Sequence, residues 1–340
     1  MTKSTEHPWS LKVPPEIFDD LTRREFLIGA GLIVLAPGCG SGDEGANGGE
    51  TSNETRVVKD ASGDEVEVPA EARRIVALGE VELDSLLALG IEPAATIQGR
   101  GQDGPPNYLA DEAEEIPLVG VLTQPNVEAI AELEPDLILA SFAFGPPFAD
   151  EQVIGNLKEI TPATLVSSAA EETWQDSLRR IANAVNRSEA GEEAISDYEQ
   201  SVEEARAELG ERVGDTLSIV RWQADGPVYM FADNVSSLVV EDLGFERPEA
   251  QNEPGLGHSD PLSLEQLDLI DGDWLFVGTL GGGEDEEALE EIREDRLWQQ
   301  VEAVRSDHVV SVDGSLWTSV VGPLGARRIV ADVLEGIVGS

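Results

Sequence analysis

Trp174-Gln-Asp-Ser-Leu-Arg-Arg-Ile-Ala-Asn-Ala-Val-Asn186-Arg-Ser188-Glu-Ala-Gly-Glu-Glu-Ala194-Ile-Ser-Asp-Tyr198-Glu-Gln-Ser-Val202-Glu-Glu-Ala205-Arg-Ala-Glu-Leu209 is helical in spacing throughout, with a break expected at Asn186-Arg187-Ser188. Ser188 is of the type that caps a new helix. Beyond it Ala194, Tyr198, Val202, Ala205 and Leu209 recur at spacings of three and four, which draws one apolar stripe along a helix. About 20 residues at 1.5 Å each make a rod of roughly 30 Å, long enough to join two lobes.

On both sides of this rod the chain alternates short apolar runs with helical ones. Upstream, Val57 to Pro69 reads as two alternating strands around a Ser62-Gly63 turn. Arg74-Ile-Val-Ala-Leu78 follows as a strand, then a helix from Glu82 to Leu89 stopped by Gly90. Ala94 to Ile97, Leu118-Val119 and Leu137 to Ala140 supply further strands, with a helix over Val127 to Leu133. Downstream, strands are expected at Leu217 to Trp222, Val228 to Phe231 and Trp274 to Val277, and helices at Ser237 to Leu243, Leu264 to Ile270 and from about Leu324. Such alternation argues for mostly parallel sheets flanked by helices. An internal repeat sharpens the picture: Asn126 to Ile138 lies over Ser263 to Leu275 without a gap, each with a polar cap, Glu in the first helical turn, an Asp and a buried strand. The expected fold class is α/β, with two Rossmann-like lobes, each holding a mostly parallel central sheet, joined by one long α-helix. The lobes would occupy 56–170 and 211–340, with the helical segment at 171–210.

The 340 residues suffice for two such cores. Asp and Glu number 68 against 22 Lys and Arg, for a net charge of −46, which repels nucleic acid and anionic membranes alike. Beyond the first residues only Lys59 and Lys158 are lysines. So acidic a surface is suited to a cell at very high salt, where counterions screen it. One cysteine, Cys39, excludes an internal disulfide and a cysteine-cluster metal site.

Cys39 has another expected use. Thr22-Arg23-Arg24-Glu-Phe-Leu27 precedes a short apolar run from Ile28 to Pro37, which is too short to span a bilayer. The paired Arg23 and Arg24 follow the twin-arginine export pattern, in which the chain crosses the membrane folded. Leu35-Ala-Pro-Gly-Cys39 is similar to a lipobox, making 1–38 a removable signal and Cys39 the lipid-bearing first residue. The Gly-, Ser- and acid-rich stretch that fills 39–55 reads as a flexible tether to the outer face of the cytoplasmic membrane.

From Val57 to the C-terminus the sequence resembles the helical-backbone binding proteins of ABC importers for iron–siderophore complexes and cobalamin, here as a haloarchaeal-type lipoprotein. The resemblance rests on Val58-Lys-Asp-Ala-Ser-Gly with Val68-Pro69, Arg74-Ile-Val-Ala-Leu, Pro125-Asn-Val-Glu128, Glu134-Pro-Asp136-Leu-Ile, Pro261-Leu-Ser-Leu-Glu265, Leu297-Trp298 and Val312-Asp-Gly. It implies an extracytoplasmic monomer, without cofactor, that passes an iron(III) chelate to the permease and ATPase subunits of an importer. Cobalamin is the alternative cargo. It also implies that Glu128 and Glu265, the pair the repeat superposes, dock onto cationic points of the permease.

A two-lobed binder holds its ligand at the carboxyl ends of its strands. There Arg221-Trp222 ends a strand, and guanidinium beside indole is a pairing suited to an anionic chelate. In similar proteins a basic residue at this place contacts the ligand's acidic oxygens. Arg100 and Tyr108 in and beside the Gly99 to Pro106 loop, Phe144, His258 and Trp317 complete the candidates. Phe144 matches an aromatic position of hydroxamate binders. Leu122, by contrast, stands where several of them have arginine, which leaves carboxylate or mixed siderophores open. A resident metal ion is not expected, because the three histidines form no cluster. Nor is an enzyme, since no Gly-x-Ser-x-Gly elbow, P-loop or His-Glu-x-x-His occurs.

Overall fold

The computed structural model describes residues 54–144, 152–170, 172–281 and 283–339, with Phe144 described in its backbone alone. Arg23, Arg24, Cys39 and the tether up to residue 53 lie outside the described residues. In chain order the first part holds β1 (Thr55–Lys59), β2 (Glu65–Pro69), β3 (Ile75–Leu78), α1 (Glu80–Ala88), β4 (Ala95–Thr96), β5 (Gly120–Val121), β6 (Gln124–Pro125), α2 (Val127–Glu132), β7 (Leu137–Ala140), α3 (Gln152–Ile160) and β8 (Thr164–Val166). Next come α4 (Trp174–Ala184) and α5 (Ser188–Leu209). Then follow β9 (Leu217–Arg221), β10 (Val228–Tyr229), α6 (Val235–Asp242), a 3-10 helix over Leu264–Ile270, β11 (Trp274–Gly278), α7 (Gly283–Ile292), the one-turn α8 (Glu302–Arg305), β12 (Val309–Ser311), the one-turn α9 (Gly314–Trp317) and α10 (Pro323–Val338).

Two four-stranded sheets result. One has the order β4-β3-β7-β8 with every neighbour parallel, the other β10-β9-β11-β12 with only the edge pair β10 and β9 antiparallel. The repeat is visible as a shared device at the start of each central strand. Asp136, just before β7, accepts the backbone N–H groups of Arg73 and Arg74 at the entry to β3. Asp273, just before β11, accepts that of Thr216 at the entry to β9. Each carboxylate ties two neighbouring strands at their amino ends, so the Asp that recurs in the sequence fixes the register of the central pair.

Strand residues alternate faces, and the cores follow that period of two. Ile75, Ala77, Leu137 and Leu139 of the first sheet and Leu217, Ile219 and Phe276 of the second pack into one continuous core with α1, α4, α5, α6 and α10. The opposite faces bury separate clusters, Val76, Leu78 and Ile138 in one sheet and Val220, Trp222 and Val277 in the other. Each large side chain so withdrawn from water contributes roughly 1.5–3 kcal/mol.

The rod is present over its expected length, and α5 buries Gly191, Ile195, Tyr198, Val202, Ala205 and Leu209. Ala194 lies at the edge of this stripe, half-buried. Towards the first sheet, Tyr198 meets Trp174 of α4 edge-on at 5.1 Å; towards the second, its hydroxyl donates to Asp242 of α6 at 2.6 Å. Gly191 is required by the close approach of α4, because a Cβ there would sit 2.7 Å from that of Ala182. The cap differs from expectation. Asn186 adopts φ 57, Arg187 N–H returns to Ala182 carbonyl, and Ser188 is already the first helical residue, so no side chain caps α5.

Candidate functional site

The carboxyl ends of the two sheets face one another through the loops that follow β4, β9 and β11. Glycine allows a close approach: a Cβ on Gly101 would lie 3.2 Å from both Cβ and the carbonyl oxygen of Leu280, which follows β11. Arg100, beside it, is exposed. Its backbone N–H is held at 2.8 Å by the carboxylate of Glu80, which is itself buried at the start of α1. Across the gap, the alternation of β9 places Leu217, Ile219 and Arg221 on one face and Val220 and Trp222 on the other. Arg221, last on its face, therefore reaches past the core to the cleft.

Arg221 is 5% exposed and has no acidic partner within ion-pair distance among the described residues. Its Nε donates to Gln223 Oε1 at 3.0 Å, and its Nη2 lies 2.7 Å from His258 Nε2. Burial lowers its pKa, and the positive charge of Arg100 lowers it further. His258 is exposed, its own pKa lowered by partial burial and by both arginines. Thus Arg221 and His258 meet as a pair, and Arg100, from the loop after β4 in the other half, is near enough for its charge to lower the pKa of both. Asp225 and Asp285 act on Arg221 from beyond ion-pair distance, so the guanidinium stays open to a closer anionic partner.

The aromatic expectations fare differently. Trp222 is buried at 3% exposure and packs edge-on against Trp298 at 5.4 Å, because it shares the outer face with Val220. Trp317 is fully buried, its indole donating to Asp332 at 2.9 Å and its ring resting on Phe276. Neither offers a face to a ligand, and both roles are corrected to core packing. Tyr108 donates its hydroxyl to Asp84 at 3.0 Å and packs beside Gly325 of α10, a contact between the two halves. For Phe144 only the backbone is described.

Three acids on α1 were not singled out by sequence: Glu80, Glu82 and Asp84, all buried. Asp84 accepts the N–H groups of Gly322, Leu324 and Gly325 at 3.1, 2.8 and 2.9 Å, capping α10 from the other half of the molecule. Glu82 accepts the hydroxyls of Ser167 and Ser168 beyond β8. Burial pushes the Glu82 carboxyl up to about 7 and that of Asp84 to about 6, against these hydrogen bonds. Glu128 and Glu265 both lie exposed in first helical turns, Glu128 in α2 and Glu265 in the 3-10 helix. A separate cavity of about 760 Å³ lies at the opposite, amino ends of β7 and β8, where Lys158 is set among Asp64, Glu65, Glu67 and Asp136. It offers no converging cations.

Two α/β halves with mostly parallel sheets, joined by one spanning helix, have the architecture of a two-lobed solute-binding protein. A family model for periplasmic binding proteins matches residues 75–316, and the chain belongs to that family. The probable siderophore-binding lipoprotein YfiY of Bacillus subtilis is 32% identical over 309 residues, covering 88% of this chain and 93% of that protein. The Fe(3+)-citrate-binding protein YfmC of the same species is 26% identical over 308 residues, covering 89% and 93%. Among solved structures, Staphylococcus aureus SirA complexed with staphyloferrin B superposes with a TM-score of 0.71 at 22% identity, covering 83% of this chain and 98% of that one.

Proposed function

We propose that this chain is the substrate-binding component of an ABC importer and captures an iron(III)–siderophore complex in the cleft. The observation that carries the reading is that Arg100 and Arg221, from opposite halves, lie near enough for one charge to act on the other, with neither in an acidic ion pair among the described residues, in a chain with 68 acids. So scarce a charge, placed in pairs, recognises an anion, and guanidinium suits the carboxylate oxygens of a chelate whose iron needs no protein ligand. The names of the relatives point to ferric siderophores and ferric citrate, and cobalamin, the alternative cargo, is not favoured.

Export by Arg23 and Arg24 and a lipid at Cys39 would hold the protein at the outer face of the membrane, as the lipoprotein name of one relative supports. Exposed Glu128 and Glu265 would dock the permease; Val121 and Leu264, large apolar residues exposed nearby in sequence, favour a protein surface as their partner.

Three experiments test these assignments. Titration of tryptophan fluorescence with ferric citrate, a ferric hydroxamate and cobalamin should show saturable binding of a ferric chelate, weakened about tenfold or more in Arg221→Met. Radio-iron uptake should fail when Glu128 and Glu265 are both reversed to Lys, and Cys39→Ser should release the protein into the medium. Binding of cobalamin alone would overturn the cargo; normal uptake or retention in the variants would overturn docking or anchoring.

A further inference from the structure

His258 occupies a position whose chemistry is fixed by its two neighbours. Its Nδ1 lies 2.7 Å from the carbonyl oxygen of Ser259, which can only accept, so Nδ1 carries the proton. Its Nε2 lies 2.7 Å from Nη2 of Arg221, and a guanidinium can only donate, so Nε2 is bare. The two contacts together admit one form of the ring, the neutral Nδ1–H tautomer. The backbone supports this placement: His258 forms an antiparallel bridge with Met230, just beyond β10, the strand whose Val228 pairs with Arg221. On the other side of Arg221, Gln223 takes Nε. Between them Nη1 is left without a protein acceptor among the described residues.

We propose that neutral His258 is a positioning residue that clamps the Arg221 guanidinium for an anionic ligand, and that protonation of His258 releases the clamp and weakens capture. The proposal rests on the anionic-chelate reading of the cleft. A proton on Nε2 would set two cations 2.7 Å apart, so the pair must separate. The charged groups around this pair are Arg100 from the loop after β4, Asp260 beside His258, Asp225 after β9 and Asp285 of α7. Burial opposes protonation of His258 most, and the two arginines add to it; the Ser259 carbonyl and Asp260 favour it. The balance lowers the pKa, so release is expected on the acid side of an ordinary histidine.

Two measurements on the full-length protein decide the matter. Nitrogen NMR of the imidazoles, with His7, His258 and His308 assigned by single replacement, should show His258 as the Nδ1–H tautomer at pH 7. Its titration should move to higher pH in Arg221→Met. Separately, ferric citrate affinity should fall from pH 7 to pH 5 by up to about tenfold more in the native protein than in His258→Gln, whose amide oxygen accepts from Arg221 but does not titrate. The same comparison cancels the speciation of the chelate. His258→Leu should bind more weakly at every pH, with His258→Gln recovering part of the loss. An Nε2–H tautomer, a His258 titration unmoved by Arg221→Met, or parallel pH profiles in native and Gln proteins would overturn the clamp. Failure of the native protein to bind any ferric chelate would instead sink the functional reading, with the NMR result still deciding the clamp.

Discussion

Glu82 is a carboxyl group kept away from water in the first turn of α1, with hydroxyl donors from Ser167 and Ser168 at 2.8 and 2.9 Å. Its pKa rises from 4.5 to about 7 because burial outweighs those two bonds. A carboxyl group raised on folding binds its proton more tightly in the native than in the unfolded chain. Its contribution to stability is therefore greatest below its ordinary value and is lost as pH rises towards 7. Glu82→Gln keeps an oxygen for both serine hydroxyls and removes the charge. The variant should show a flatter melting profile than the native protein between pH 4.5 and 7, gaining on it as pH rises to 8. Melting curves across that range check it, and unchanged slopes would count against a buried, titrating Glu82. At this scale the sequence was informative where charge is scarce. Arg221 was marked by its place at a strand end beside an indole, and Arg100 by the Gly99 to Pro106 loop. Glu80, Glu82 and Asp84 did not stand out, because three buried acids are invisible among so many solvated ones. Trp222 was misassigned because adjacency to Arg221 suggested shared exposure, whereas alternation along β9 sends neighbours to opposite faces.

Asp84 shows how an element of one half depends on the other. Its carboxylate satisfies three N–H groups at the start of α10, where Gly322 as N-cap supplies no side chain of its own, and it also receives the Tyr108 hydroxyl. Asp84→Ala leaves those donors buried without a partner. The expected loss is roughly 2 kcal/mol or more, with Tm falling about 4 °C or more. Tyr108→Phe, which removes one of the four bonds, should cost less, and calorimetry of both variants gives the ranking. Equal losses would mean that the tyrosine, not the helix cap, is the main tie. Long, periodic elements such as α5 and α10 were legible, since an apolar stripe kept at helical spacing over many residues fits neither a strand nor a loop. Short or one-sided elements were not. β12 has only three residues, and α7 carries Glu and Asp along Gly283–Ile292 with Ile292 its one fully buried residue, so neither shows a period. The helix expected at Leu264–Ile270 forms, but as a 3-10 helix with a Ser263–Gln266 capping box.

Over the whole molecule the net charge of −46 acts against both folding and capture. Its ion pairs, such as Arg179 with Glu192 and Arg305 with Glu302, are largely exposed and individually weak. What remains is a long-range repulsion among surface carboxylates, and its range is set by salt, falling from about 10 Å at 0.1 M to 3 Å at 1 M. Raising KCl over that interval should therefore lift Tm by several degrees. The same field opposes the approach of an anionic chelate, while Arg221, which would bind it, is buried where screening is weaker. Association with ferric citrate should accelerate with salt, the reverse of ordinary electrostatic steering, and dissociation should change less. Stopped-flow fluorescence at several KCl concentrations separates the two rates. A rate of association that falls with salt would show that the cleft's own positive charge, and not the acidic surface, governs the encounter.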